Sequence, residues 1–228
     1  MQDLDRILVI IPLFNEAAVI EEVIFNLKKY FANIVVVDDG STDKSNQLLS
    51  SMPIKLIKHP VNLGQGAAIA TGFEYAKGLK EISAVVTFDA DGQHSVEDAK
   101  VFAEDILSCK EELILGSRFL GNELNVPYLK RKVLNLATYF TNLFTGMELS
   151  DTHNGLKAIK KECLYKLDLD INGYAFETQL ISQISKYNIT YKELPTNIIY
   201  TDYSLKKGQS LSNGLIIIED ILQSFRKR

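Results

Sequence analysis

Asp89 and Asp91 stand one residue apart behind an apolar run, within Val85-Val86-Thr87-Phe88-Asp89-Ala90-Asp91-Gly92-Gln93-His94. The run is rich in β-branched and aromatic residues and reads as a buried strand that stops at the carboxylates. Alternate residues of an extended or turning segment point the same way, so the two side chains can converge. Hard oxygen ligands suit Mg²⁺ or Mn²⁺, whose shell is usually completed by waters and substrate phosphates. A lone Asp-x-Asp is more often a solvated turn, so its neighbours decide. Asn15 and Glu16 follow the run Arg6 to Pro12, Asp38 and Asp39 follow Ile34 to Val37, and Arg118 follows Glu112 to Gly116. In a parallel sheet all these strand ends lie on one edge, where open α/β sheets place their ligands. Independent capping turns have no reason to collect acidic pairs in this way. The pattern points to a shared site.

The intervening segments supply the helices such a sheet requires. Pro12 is expected to end the first strand, and the apolar spacing of Val19, Ile20, Val23, Ile24 and Leu27 predicts a helix through Tyr30. Ser41 or Thr42 is expected to cap a helix that starts near Asp43. A strand from Ile54 to Lys58 leads to Asn62-Leu63-Gly64-Gln65-Gly66-Ala67-Ala68, where small residues let another backbone or a diphosphate approach a helix running to about Leu79. Ser95 and Asp98 resemble a capping box for a helix to about Ser108. Strands alternating with helices predict an α/β fold with a mostly parallel central sheet covered on both faces.

Beyond residue 120 the character changes. Pro127 to about Gly146 reads as a helix with basic residues at its start (Lys130, Arg131, Lys132) and many apolar ones. It is either a core helix or one lying on a membrane interface, and the core reading is taken first. Asp151-Thr152-His153-Asn154-Gly155 is a polar loop before a strand, Leu156 to Ile159, and Gly173 to Glu177 opens another helix. Tyr191 to Tyr200, broken at Pro195, is a strand ahead of a basic loop with Lys206 and Lys207 and an apolar last helix ending in Arg226-Lys227-Arg228. With no repeat and no clear linker, residues 1–228 are expected to form a single domain. Residues 1–120 would hold the donor and 121–228 the acceptor.

Composition narrows the function classes. Of 228 residues, 46% are hydrophobic and 24% charged, enough for a sizeable core, and the net charge of −4 gives no general affinity for nucleic acid. The two cysteines, Cys109 and Cys163, lack metal-ligand spacing and read as free thiols in a reducing compartment. No signal peptide and no spanning segment are recognisable, so the protein is expected to be cytoplasmic. The absence of G-x-G-x-x-G after the first strand argues against an NAD-dependent oxidoreductase. Ile10 to Glu16 holds neither glycine nor lysine, which argues against a nucleotidyltransferase with a basic phosphate loop.

Four ordered motifs carry a resemblance: Ile11-Pro12-Leu13-Phe14-Asn15-Glu16, Val37-Asp38-Asp39-Gly40-Ser41-Thr42-Asp43, Asn62-Leu63-Gly64 and Asp89 through His94. In this order they resemble the signatures of family 2 glycosyltransferases. Ser117-Arg118-Phe119, Asp151 through Lys157 and Gly173 through Glu177 further resemble the dolichyl-phosphate mannose synthase branch and bacterial polyprenyl-phosphate sugar transferases. The resemblance implies a GT-A fold and an inverting transfer from a nucleotide-diphosphate sugar, UDP- or GDP-linked. By the same carry-over, Pro12, Phe14, Asn15, Glu16, Val37 and Asp39 line the nucleoside pocket, with Asp38 and Gly64 close by. Asp89, Ala90, Asp91 and Gln93 surround Mg²⁺ or Mn²⁺ and the diphosphate, and Arg118 stands near the phosphates or the acceptor. One departure is that Leu205 and Leu211 occupy basic positions of the branch's R-x-x-G-x-S-K pattern, leaving Lys206 and Lys207 to supply the charge.

Chemistry separates two acceptors. A sugar hydroxyl needs a general base to take its proton, for which Asp151 and Glu177 are the candidates. A polyprenyl phosphate is already anionic and needs positive charge instead, from Arg118, Lys206 and Lys207. The lipid reading requires contact with a membrane surface through the basic start of the 127–146 helix and the last helix. It leaves room for a small membrane-protein partner.

Overall fold

A computed structural model describes residues 4–121, 128–169 and 175–199. Lys206, Lys207, the last helix, and Gly173 and Tyr174 therefore lie outside the described residues. The strands are β1 (Ile7–Leu13), β2 (Asn33–Asp38), β3 (Lys55–Lys58), β4 (Ala84–Thr87), β5 (Leu113–Ser117), β6 (Lys157–Lys160) and β7 (Tyr191–Pro195). They form one seven-stranded sheet in the order β3-β2-β1-β4-β6-β5-β7. Every pairing is parallel except those of β6, which runs antiparallel between β4 and β5. The helices are α1 (Ile20–Leu27), α2 (Ser45–Leu49), α3 (Gln65–Gly78), α4 (Val96–Ser108), α5 (Tyr128–Thr145), α6 (Lys161–Leu164) and α7 (Ala175–Lys186).

Alternation along the strands divides the core in two. Ile7, Val9, Ile11 and Leu13 pack with α1 and α4, whereas Leu8 and Ile10 pack with Phe73 of α3 and with Leu180, Ile181 and Ile184 of α7. All seven residues of β1 are buried, as a central strand covered on both faces should be.

Three local expectations are corrected. Pro12 does not end β1, which continues to Leu13. Ile10 O accepts from Phe88 N on the β4 side and Leu13 O from Asp39 N on the β2 side. By alternation the proline nitrogen faces β4, whose pairing has already stopped at Ile10, so no ladder bond is lost. Neither Ser41 nor Thr42 caps α2; the N-cap position is Lys44, without a side-chain cap. Ser41 Oγ instead accepts from Asn15 N at 2.9 Å. The helix from Tyr128 is only partly a core helix, because it buries Thr141 and leaves Tyr139 and Leu143 more than 60% exposed, at 62% and 63%. The expected Ser95 cap of α4 is present, its Oγ accepting from Asp98 N at 3.3 Å.

Candidate active site

The parallel strands β1, β2, β4 and β5 all end at one edge of the sheet. Being antiparallel, β6 begins at that edge, so the loop 151–156 that feeds it arrives beside the ends of β4 and β5. This reversal brings Asp151 and Asn154 to the same place as Asp89 and Arg118.

The turn after β4 is built around Asp89. His94 Nε2 lies 3.0 Å from Asp89 Oδ2, and Gln65 Nε2 donates to Oδ1 at 3.1 Å. Gly155 backs directly onto the carboxylate, where an added Cβ would overlap it. Burial opposes ionisation of Asp89, but the hydrogen bond and electrostatic pull of His94, with Lys157 and Arg118 behind, hold its carboxyl below the usual range. Asp91 is in the opposite condition. Burial, then the charge of Asp89, pushes its carboxyl up to about 6. Gln93 N donates to Asp91 Oδ1 at 3.0 Å, and Gly92 between them takes φ +74, a conformation glycine adopts without strain.

Two neighbouring carboxylates, one of them raised by the other's charge, fit a divalent cation well. Among the described residues no group of three or more acidic, histidine or cysteine side chains forms a complete metal cage. A cation held here would draw the rest of its shell from donor phosphates and water, the habit of Mg²⁺ and Mn²⁺ at phosphate sites.

The end of β2 is a knot of internal hydrogen bonds. Asp38 Oδ1 accepts from Ser41 N at 3.0 Å, and Oδ2 from Asn46 Nδ2. Asp39 Oδ1 accepts from Leu63 N at 2.9 Å and Oδ2 from Gly64 N at 2.7 Å. Both carboxylates are almost wholly buried. The backbone approached at Gly64 is thus drawn onto a protein carboxylate. Gly40, at φ +74, packs so closely on Val61 and Asn62 that a Cβ there would lie 2.7 Å from backbone atoms. Asn15, itself at φ 55, accepts from Thr42 N and Asp43 N and ties the end of β1 to this turn. Glu16 is buried beside Ser45, whose Oγ accepts from Glu16 N. Phe14 is exposed at the edge, while Pro12, Val37 and Ala90 are buried beneath it.

On the acceptor side, Arg118 Nε donates to Asp151 Oδ2 at 2.6 Å, and its Nη2 donates to His153 O. Asp151 is fully enclosed, and its Oδ1 also accepts from His153 N at 3.1 Å. Lys157 Nζ bridges Asn154 O and Glu177 Oε1, the latter at 2.8 Å, in a second buried pair. Burial raises the Glu177 carboxyl against the pull of Lys157, with Asp89 and Asp151 adding to the rise; its Oε2 is buried without a hydrogen-bond partner among the described residues. Burial likewise pushes the His153 imidazole down to about 4.

The site therefore gathers Asp89, Asp91, Gln93, Arg118, Asp151 and Glu177 around one sheet edge. Sequence reading gave no role to Gln65, His94, Lys157 or His59. His94 stands in the quoted Asp89–His94 motif and Lys157 closes the Asp151–Lys157 loop, so position alone could have flagged both. Gln65 likewise stands within the quoted Asn62–Ala68 stretch, whereas nothing local marks His59.

A family model described as Glycosyl transferase family 2 matches residues 8–168. A UDP-N-acetylglucosamine–dolichyl-phosphate N-acetylglucosaminyltransferase of Methanococcus voltae is 33% identical over 241 residues, covering 95% of this chain and 94% of its own. A polyprenol monophosphomannose synthase of Mycolicibacterium smegmatis is 29% identical over 228 residues, 94% of this chain and 83% of its own. Among solved structures, glucosyl-3-phosphoglycerate synthase from Mycobacterium tuberculosis, crystallised with Mn²⁺, UDP and phosphoglyceric acid, is similar with a TM-score of 0.70. That likeness covers 96% of this chain and 78% of the other at 18% identity, and it speaks for a shared GT-A fold.

Proposed function

The chain belongs to glycosyl transferase family 2, and from that membership we propose that it moves a sugar from a UDP- or GDP-linked donor to a polyprenyl phosphate. The reading rests on one observation. Both carboxylates that could serve a hydroxyl acceptor as base are already engaged, Asp151 with Arg118 and Glu177 with Lys157. A phosphate acceptor needs no base, because its oxygen is anionic at neutral pH. The names of the Methanococcus and Mycolicibacterium relatives, which act on dolichyl phosphate and make polyprenol monophosphomannose, support the same acceptor class.

In this reading the nucleoside lies at the edge above Pro12 and Val37, against Phe14, with Glu16 and Ala90 as further walls. Asn15, Asp38, Asp39 and Gly64 shape the pocket through the loops they hold. Asp91, Gln93 and Asp89 hold Mg²⁺ or Mn²⁺. When bound, the ion supplies positive charge to the leaving diphosphate. Arg118, with Lys206 and Lys207, holds the acceptor phosphate. One phosphate oxygen forms a bond to the anomeric carbon while the bond from that carbon to the diphosphate oxygen breaks, its electron pair leaving with the nucleotide. A single displacement of this kind inverts the anomeric centre. The two halves, 1–120 and 121–228, act as one catalytic unit.

The acceptor's tail calls for a membrane surface. No helix among the described residues is long and apolar enough to cross a bilayer. The α5 helix instead presents Leu136, Tyr139, Phe140 and Leu143 to solvent, with exposed Arg131 and Lys132 at its start. An apolar face beside basic residues suits an anionic leaflet, so we read the protein as peripheral on a cytoplasmic membrane face, with a small membrane protein as a further partner for retention.

A second reading keeps a glycan hydroxyl as acceptor. It is favoured by the raised carboxyl of Glu177 and by its Oε2, which has no partner among the described residues, the condition of a base tuned towards neutral pH. Labelled UDP-, GDP- and dTDP-sugars offered with polyprenyl phosphate test the main reading. It expects one donor to give a charged lipid-linked product, and sugar appearing only on a soluble glycan would overturn it.

A further inference from the structure

His59 follows β3, away from the metal turn, and belongs to none of the motifs. Its imidazole is nevertheless enclosed between two groups of the donor half. Nδ1 lies 2.7 Å from Asp39 Oδ1, and Nε2 lies 2.9 Å from Thr71 Oγ1 on α3. A carboxylate only accepts, so Nδ1 carries the proton and donates. The backbone is fixed as well, His59 N donating to Asp38 O at 2.8 Å. The ring therefore has one orientation available, set from the β2 side and from the α3 side at once.

What Asp39 does with its remaining capacity gives that orientation a purpose. The carboxylate accepts from Leu63 N and Gly64 N, the two amides ahead of the first turn of α3. Gly64, at φ +96, is the N-cap residue of that helix, and Gln65 directly after it donates to Asp89 Oδ1. A continuous chain of contacts thus runs from Thr71 through His59 and Asp39 to the Leu63–Gly64 amides, and on through Gln65 to the metal turn. Without His59, Asp39 Oδ1 would lose its side-chain donor, and only the Leu63 and Gly64 amides would hold the carboxylate. Those amides would then share a less firmly fixed acceptor in a buried setting, which is costly.

We propose that His59 is a positioning residue of the donor site. It locks the Asp39 carboxylate onto the Leu63 and Gly64 amides and so sets Gln65 against Asp89. This rests on the reading that the Asp89 turn and the Gly64 loop together receive the donor diphosphate. Asn at position 59 keeps a donor where Nδ1 stood and loses only the Thr71 contact; Ala loses both.

The test uses the full chain in wild-type, His59→Ala and His59→Asn forms, with two measurements on each. Amide hydrogen exchange at Leu63, Gly64 and Gln65 reads the lock. Calorimetry with UDP and with GDP in the presence of Mn²⁺ reads its service to the donor site. His59→Ala should exchange those three amides about tenfold faster or more and weaken nucleotide affinity by about tenfold, the loss expected of one charge-assisted hydrogen bond. Exchange in the core strand β1 should stay unchanged, and His59→Asn should restore both readouts. Unchanged exchange in His59→Ala overturns the lock, and faster exchange with unaltered nucleotide affinity overturns its service to the donor site. Loss of protection throughout β1 would mark a merely structural residue and also overturn the proposal. A wild type that binds neither nucleotide sinks the donor reading itself, while the exchange result still decides the lock.

Discussion

Arg118 and Asp151 form a buried ion pair, Nε to Oδ2 at 2.6 Å, joining the end of β5 to the loop before β6. The two residues are 33 positions apart and meet only because β6 is antiparallel. Asp151 Oδ2 is engaged by the guanidinium and its Oδ1 by His153 N, so both oxygens are already turned to protein donors and not to an acceptor hydroxyl. Asp151→Asn keeps an oxygen facing Arg118 but removes the charge and the acceptor that His153 N uses. The expected outcome is a loss of about tenfold in kcat, the scale of one weakened charge-assisted bond. A general base at Asp151 would cost roughly 10²–10⁴-fold instead. Steady-state kinetics with polyprenyl phosphate distinguish the two.

Asp91 should be far more demanding. Its carboxyl is held up by burial and by the neighbouring charge of Asp89, the electrostatic condition that a bound cation relieves. Asp91→Asn is expected to cost several kcal/mol of transition-state stabilisation, on the order of a hundredfold or more in rate. Nucleotide binding measured without metal should survive. Near wild-type turnover in the variant, or full activity of the wild type in EDTA, would remove the metal from the mechanism.

His153 gives a pH-dependent stability with a definite sign. Burial holds its imidazole at about 4 in the folded chain, whereas an unfolded histidine titrates near 6.5. Between those values the unfolded chain binds a proton that the folded chain does not, so stability is lost as pH falls through that window. A gap of that size is worth on the order of 3 kcal/mol. Glu177, whose carboxyl is raised, acts in the opposite direction, so the comparison is between wild type and His153→Gln. Urea denaturation at pH 7 and pH 5 should show the wild type losing at least about 1 kcal/mol more than the variant. Equal losses would place the imidazole in a more solvated setting.

The α5 helix buries Leu134, Ala137, Thr138 and Thr141 on one side, while Tyr139, Phe140 and Leu143 face outward. Contiguous exposed apolar side chains of this kind mark interaction surfaces. Flotation with anionic liposomes should carry the wild type at low salt and release most of it at high salt, because each basic residue contributes only about 1 kcal/mol near the surface. Tyr139→Ser combined with Leu143→Asp should leave the protein unfloated with its fold intact by circular dichroism. Equal flotation of the variant would exclude this face.

Much of this site could be read from the chain because β1, β2, β4 and β5 are short apolar runs with polar residues at or just behind their ends. Asp89, Asp91 and Arg118 announce themselves in this way, and the GT-A fold follows from the order of the motifs. Other features carry no local signal. The four residues of β6, Lys157–Lys160, have the same pattern whichever way the strand runs, so the meeting of Asp151 with Arg118 was invisible. Nothing beside Asp39 in the sequence shows that it accepts from the amides of residues 24 and 25 positions away. Pro12 reads as a strand end because the sequence does not reveal that β4 pairs only as far as Ile10. In α5, apolar residues surround the helix, and periodicity could not say which side the core would take.

The proposed acceptor brings its own negative charge, and the most direct measurement offers the enzyme two lipids differing only there. Polyprenyl phosphate and the matching polyprenol are incubated with the active labelled donor and Mn²⁺, and the lipid products are resolved by charge. Transfer to the phosphate, giving a sugar phosphodiester, with none to the polyprenol or to a soluble glycan, is the predicted result. Transfer to polyprenol or glycan with none to the phosphate would contradict the account and return Glu177 to the role of general base.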